Sequence, residues 1–301
     1  MMIFINLYMT LFGPANTLVG VAIAVAFMTY PSLDMNISPI HMAFLIFFLL
    51  IGSGLSSAST LFHPAIAFLI NTSYIIILLL FTSEPSAYKP YMPFLLCFIF
   101  CQSVPVQGQE LVLRMTGITV CALGTALYTF LMWKKNGYGQ EPLSLKEQIL
   151  HSTHHRGFIL RLSFGISVAM LLGTVLHIQK PLWISIVVMS LTQIELKDTL
   201  LRIKHRTIGT ILGILIFIVV FQYLVPPKYV FILVFLIGYI NNFIKEYKYT
   251  QILNAVNAIN ASLVMLDTST AIENRVMCLL CGILIVLIFY VLHFIYQLLT
   301  P

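Results

Sequence analysis

The sequence predicts an all-α polytopic membrane protein of about twelve transmembrane helices, arranged as two parallel six-helix repeats. Three observations carry that expectation. Of 301 residues, 59% are hydrophobic and 9% charged, with a mean hydropathy of +0.98, whereas a soluble domain carries roughly a quarter charged residues. The apolar residues gather in runs of roughly 15–22, broken by Pro, Gly and single polar groups, close to the length that crosses a ~30 Å hydrocarbon core. Finally, the chain reads on itself at an offset of 166 residues. Thr17–Tyr30 falls on Trp183–Leu196, Pro39–Ser56 on His205–Gln222, Phe62–Phe81 on Lys228–Tyr247, and Val112–Trp133 on Cys278–Leu299. The match is one of hydropathy and punctuation, the mark of a structural repeat.

Six spans are expected in the first half: Met2–Phe12, Asn16–Tyr30, Pro39–Ser56, Phe62–Phe81, Tyr91–Val104 and Val112–Trp133. Six follow in the second: Leu160–Leu176, Leu182–Leu196, His205–Leu224, Tyr229–Phe243, Thr250–Leu266 and Arg275–Leu298. Residues 1–133 thus form one membrane repeat, 134–159 a cytoplasmic linker and 160–301 the second repeat. Met2–Phe12 is too short to span alone and reads as a half-helix or the remnant of a longer N-terminus. It lacks the basic n-region and cleavage site of a signal peptide.

Charge agrees with an even count. With both termini cytoplasmic, the inner loops hold twelve of the sixteen lysines and arginines, leaving Arg114, Lys180, Lys228 and Arg275 outside. That is a positive-inside bias, although an eleven-span chain would keep the same asymmetry. Six spans per repeat make the halves parallel. The net charge of +6 is accounted for by cytoplasmic loops facing anionic lipid and implies no nucleic-acid partner.

In the linker, Ser144 followed by Glu147 predicts a capping box opening a short helix. His151, His154 and His155 follow at helical spacing. Such a trio can ligate a transition metal, but no Cys or carboxylate lies beside it, and a polar interfacial helix is the expectation. Cys97, Cys101, Cys121, Cys278 and Cys281 all fall inside spans, where small soft residues pack helices together. No disulfide, metal site or cofactor is expected.

The most specific stretch runs from Arg161 through Gly165 and Gly173 to Pro181-Leu-Trp183. It continues through Thr192-Gln193, a short basic loop with Asp198, Arg202 and Arg206, and then Gly209-Thr210 and Gly213. This resembles the fusaric acid resistance (FUSC) family of membrane transporters. The first half resembles it more weakly, through Phe12-Gly-Pro14-Ala-Asn16 and Glu110 with Arg114. The resemblance implies export of aromatic carboxylic acids and a bacterial plasma or inner membrane; plant malate- and aluminium-activated anion channels are more distant relatives. Many members carry cytoplasmic domains after each membrane half, and this chain reads as a short form without them.

The residues carry chemistry independently of that resemblance. Gly209 and Gly213 make a G-x-x-x-G step that admits a close neighbour helix. Arg202, Lys204 and Arg206 stand where the positive-inside rule places basic residues, or else concentrate an anion at the cytoplasmic opening. Arg114 and Arg275 open the last span of each half on the disfavoured side, each preceded by an acid, Glu110 or Glu273. A guanidinium suits a carboxylate because its fork can bond both oxygens; the plainer alternatives are snorkelling or pairing with the nearby glutamate. Gln251, Asn254, Asn257 and Asn260 recur every three residues, with Ser262 and Asp267 following and Asn241 and Asn242 on the preceding span. These amides either line a wet path or bond neighbouring helices. Glu195 and Asp198 are candidates for proton coupling, with Asp198 able to pair with Arg202 at i+4. His293 is a third, against a plain packing role beside Tyr290 and Gln297.

The expectation is therefore a proton-driven exporter of small organic anions. A passive anion channel and a structural or regulatory subunit without transport are the alternatives. No Ser-His, paired-Asp or zinc arrangement for intramembrane catalysis is legible, so the chain is not read as an enzyme. Its expected partners are the small organic anion and the bilayer, with self-association into a homo-oligomer left open.

Overall fold

Inside a bilayer each backbone N–H and C=O must find a partner within its own segment, and this chain meets that demand with helices. A computed structural model describes every residue except 140, 141, 177, 179, 227, 228, 242, 245, 263–266, 300 and 301, and only the backbone of 222, 231, 261 and 262. Lys228, Asn242 and the side chain of Ser262, named above, therefore lie outside what is described. Among the described residues the one β-type pairing is an isolated bridge between Ile37 and Leu143.

The chain divides into two compact units, Met1–Leu176 and His177–Pro301. The first holds α1 (Met2–Phe12), α2 (Thr17–Thr29), α3 (Pro39–Ser56), α4 (Pro64–Thr82), α5 (Tyr91–Ser103), α6 (Gln109–Asn136), α7 (Leu145–Thr153) and α8 (Arg156–Val175). The second holds α9 (Leu182–Leu191), α10 (Leu196–Phe217), α11 (Val230–Asn241), α12 (Tyr247–Ser262) and α13 (Thr268–Leu299), with α10 continued by a π-helical stretch at Ile218–Leu224. A helix thus stands at each of the twelve expected segments. Among the described residues, seven helical runs are long and apolar enough to cross a membrane, while α1, α5, α9 and the apolar part of α11 are shorter. The compact division falls after α8, one helix beyond the 134–159 linker.

In the first unit, consecutive helices alternate in direction. At one end Trp133 Nε1 donates to Tyr30 O (2.9 Å), Gln148 Nε2 donates to Glu84 O (2.9 Å), and His155 Nε2 meets Glu84 Oε1 at 2.7 Å. At the other end Gln102 Nε2 donates to Ser56 O (2.9 Å) and Asn71 Oδ1 (2.8 Å), and Ser59 Oγ to the same Asn71 oxygen (3.0 Å). The short α1 is built into this unit by Tyr8, which is buried between glycines. A Cβ at Gly20 or Gly117 would come within 2.7 Å of that tyrosine.

The Ser144–Glu147 capping box forms as the spacing predicts, with Ser144 N donating to Glu147 Oε2 (2.7 Å) and Glu147 N to Ser144 Oγ (3.2 Å). These bonds hold the Glu147 carboxyl below the usual glutamate range. The histidine trio does not share a face: His155 turns to Glu84, and His154 bonds back to its own helix at Leu150 O and His151 O. All five cysteines are free.

Two boundaries in the second unit differ from expectation in a way that moves charge. α10 begins at Leu196 rather than His205, and α13 at Thr268 rather than Arg275. Asp198 lies in the first turn of α10, where a carboxylate suits the helix N-terminus. Asp267, expected in a polar wall, instead caps α13, accepting from Thr270 N (3.1 Å), Thr270 Oγ1 (2.5 Å) and Ser269 Oγ, which holds its carboxyl below the usual range. The extra turns place Arg206 ten residues, or about 15 Å, along α10, and Arg275 well inside α13.

Candidate functional site

Arg114 lies in the second turn of α6 and is fully buried. Its Nε donates to Asn16 Oδ1 (2.7 Å), Nη1 to Cys101 O (2.7 Å) and Nη2 to Val104 O (2.8 Å). It therefore ties the start of α2 and the orphan carbonyls at the end of α5 to α6. Glu110 stays exposed and takes no part in those bonds. Asn16 is itself held by Phe12 O (2.7 Å from Nδ2), which orients its oxygen toward the guanidinium.

Arg275 stands at the comparable place in the second unit, and its surroundings differ. It is 6% exposed, and its guanidinium carbon lies 5.0 Å from the centre of the Trp183 ring at the start of α9. Its Nε and Nη1 have no hydrogen-bond partner among the described residues. Arg206 on α10 is likewise buried, at 4% exposed. The Arg206 Nη1 donates to Ser190 Oγ, while its Nε lacks a partner. The third cation, Arg202, is committed elsewhere: Nη1 donates to Ser190 O (3.1 Å), capping the last turn of α9, and its guanidinium lies 4.5 Å over the Tyr247 ring. All five side-chain carboxylates of this unit, Glu195, Asp198, Glu246, Asp267 and Glu273, are exposed. The unit thus buries two guanidiniums, one on α10 and one on α13, while all its side-chain carboxylates are exposed.

Helix packing fixes this geometry. Gly209 and Gly213 let α12 approach α10 so closely that an added Cβ would meet Gln251 Cβ at 2.8 Å or Ala255 Cβ at 2.6 Å. Gly282 of α13 meets Val187 of α9 in the same manner. Tyr290 of α13 ties into the α9–α10 hairpin, bonding Thr199 Oγ1 (2.7 Å) and donating to Gln193 O. One turn before Arg275, Ala271 packs with Phe217 and Ile259, with Phe221 and Ile272 beside them, forming an apolar layer at that end of the unit.

The remaining predicted residues are dispersed. Gln251 is buried against the α10 step, Asn254 accepts from Asn241 Nδ2 (3.4 Å), and Asn260 donates to its own helix at Val256 O (3.3 Å). Asn257 has a buried Oδ1 without a partner. Glu195 and Asp198 are exposed at the start of α10, and Arg202 is engaged with Ser190 and Tyr247 rather than placed for Asp198 alone. His293, half-buried, follows Tyr290 by one turn on α13. Sequence alone assigns Ser190 no role, marks Trp183 only through the Pro181-Leu-Trp183 motif, and sets Arg206 at the inner end of the His205–Leu224 span among the basic residues of that side. Its missed signal is the helical recurrence of Thr199, Arg206, Thr210, Gly213 and Phe217, the buried face of α10.

The stretch that builds this site can be matched to known proteins. Residues 168–289 match the family described as fusaric acid resistance protein-like. That match takes in less than half of the chain. With its multiple apolar helices, the chain is an integral, multi-pass membrane protein. It is also similar to the uncharacterized protein YhfK of Escherichia coli (strain K12), at 39% identity over 87 residues, which is 29% of this chain and 12% of that protein. No solved structure matches.

Proposed function

We propose that this FUSC-related chain exports small organic anions, aromatic carboxylates among them, across a bacterial inner membrane, driven by the proton gradient. The observation that carries the reading is the burial of Arg275, with two guanidinium nitrogens open, in a unit that also buries Arg206 and leaves every side-chain carboxylate exposed. An arginine at membrane depth costs ~2.5–3.5 kcal/mol or more unless protein, water or a counter-ion compensates it. A bound carboxylate supplies that counter-charge and accepts from the open nitrogens. The Trp183 face beside Arg275 adds a flat surface suited to an aromatic ring. Glu195 and Asp198 at the start of α10, and His293 near Tyr290, are the groups on which proton coupling would act.

The same reading takes the twelve helices as spans in two parallel repeats with both termini cytoplasmic. Its support is that each last helix carries an arginine reaching the start of the second helix of its half, Arg114 to Asn16 and Arg275 to Trp183. Flux of labelled hydroxybenzoate into proteoliposomes, with and without an imposed pH gradient, tests it alongside Arg275→Gln. Gradient-dependent accumulation that Arg275→Gln abolishes is the expected result. Equilibration without accumulation would make the protein a channel, and absence of any anion flux would leave a structural subunit.

A further inference from the structure

We propose that the second unit carries a gate where α10 finishes and α13 begins: an apolar layer beside Arg275 that opens through the π-helical stretch Ile218–Leu224. The inference rests on the anion-binding reading above and concerns how a ligand reaches that arginine. Burial sets the problem. Arg275 is 6% exposed, with Nε and Nη1 buried and without partners, so an anion gains those donors only if something moves.

The layer is the part of the surroundings built to move. Ala271 and Arg275 stand one turn apart on the buried face of α13, and residues four apart on a helix are neighbours. Ala271 packs with Phe217 of α10 and Ile259 of α12, with Phe221 and Ile272 beside them. All of these side chains are apolar, so they close that flank of Arg275 by contact, without hydrogen bonds. The opposite end of the unit is joined differently. There Ser190 accepts from Arg202 and Arg206, and Tyr290 bonds Thr199 and Gln193. Thr199 and Phe217 are eighteen residues apart on α10, about 27 Å. The hydrogen-bonded end is therefore the hinge and the apolar end the side that parts.

Phe221 rides on the π-helical continuation of α10, whose wide turn shows in the bond from Val225 N to Val220 O (2.9 Å). Such turns are rare and concentrate at functional sites. The Phe221 ring stacks on Phe217 with centroids 5.3 Å apart, so a shift in this one segment loosens the layer. The glycine steps meanwhile keep α12 seated on α10. In the topology proposed above this is the outer end, where an exporter releases its load.

Association and dissociation rates of labelled hydroxybenzoate with the purified full chain test the gate. Phe221 is only half-buried at the edge of the layer, so truncating it spares the fold better than truncating Phe217. Phe221→Ala is expected to raise both rates about tenfold and leave Kd within about twofold of wild type, because a barrier acts equally on entry and exit. Phe221→Leu, which keeps apolar bulk, should stay near the wild-type rates, as should Tyr290→Phe at the hydrogen-bonded end. Unchanged rates in Phe221→Ala, or faster rates in Tyr290→Phe, would overturn the gate while leaving the anion site standing. A change in Kd carried by dissociation alone would overturn it too, making the layer part of the binding surface. Wild-type protein that binds no hydroxybenzoate would remove the anion-binding reading itself, and the gate with it.

Discussion

Arg114 and Arg275 begin as the same expectation and end as opposites. Each lies near the start of the last helix of its half, and each reaches the start of the second helix. Arg114 spends all three kinds of guanidinium nitrogen on protein oxygens, 2.7–2.8 Å away. Arg275 has a ring beneath it and two nitrogens with nothing to bond. The difference lies in the partners: Asn16 Oδ1 and the carbonyls of Cys101 and Val104 receive Arg114, whereas Arg275 meets the face of Trp183. The same cation is a cross-link in one half and a candidate ligand site in the other.

Substituting both arginines by the same residue is the sharpest way to break that comparison. Arg114→Gln should destabilise by about 3–5 kcal/mol, because buried acceptors at Asn16, Cys101 and Val104 lose a charged donor together. Thermal unfolding in detergent would read it, and a midpoint unchanged from wild type would refute the cross-link. Arg275→Gln should instead leave the midpoint equal to or above the wild type, since it removes a buried charge without a counter-ion. It should also abolish stabilisation by added aromatic carboxylate. Loss of fold in this variant would erase the contrast.

Smaller changes sharpen the comparison further. Gly213→Ala places a methyl 2.6 Å from Ala255 Cβ and 2.8 Å from Ile252 O, and should cost about 1–3 kcal/mol as overpacking between α10 and α12. Trp183→Leu removes the ring beneath Arg275, a contact worth about 0.5–2 kcal/mol. It should weaken aromatic more than aliphatic carboxylates in a binding titration. The smallest effect is at the linker. Glu147 has its carboxyl depressed in the fold, so its contribution is present at neutral pH and is lost as pH falls through the folded value. The protection factor of the first-turn amides of α7, taken against the intrinsic exchange rate at each pH, should fall as pH drops below the ordinary glutamate range, while in Glu147→Gln it should not change with pH.

Much of the architecture is legible in the sequence because it rests on local physics. Apolar run length, Pro39 and Pro64 at helix starts, and the Ser144–Glu147 pair place helices almost where they stand. Arg114 and Arg275 stand out because arginine is rare at depth. The partners of those arginines are not legible, because they come from residues 98 positions away (Asn16) or on another helix (Trp183). The burial of Arg206 is not legible, because at the start of an expected span it reads with the basic run before it, and the earlier start of α10 at Leu196 is what sets it well inside the helix. The amides of α12 were legible as a series, but each is drawn to a different neighbour by close helix contact.

The glycine contacts carry one more consequence. Gly209 and Gly213 bring α10 against α12, and Gly282 brings α13 against α9, so the second unit comprises two closely packed helix pairs. Arg206 belongs to the first pair and Arg275 to the second. The joint between them is polar where Ser190 meets Arg202 and Arg206 and where Tyr290 meets Thr199, and apolar where Ala271 packs against Phe217 and Ile259. A parting of the two pairs would break those bonds and that packing while leaving each glycine-spaced seam intact.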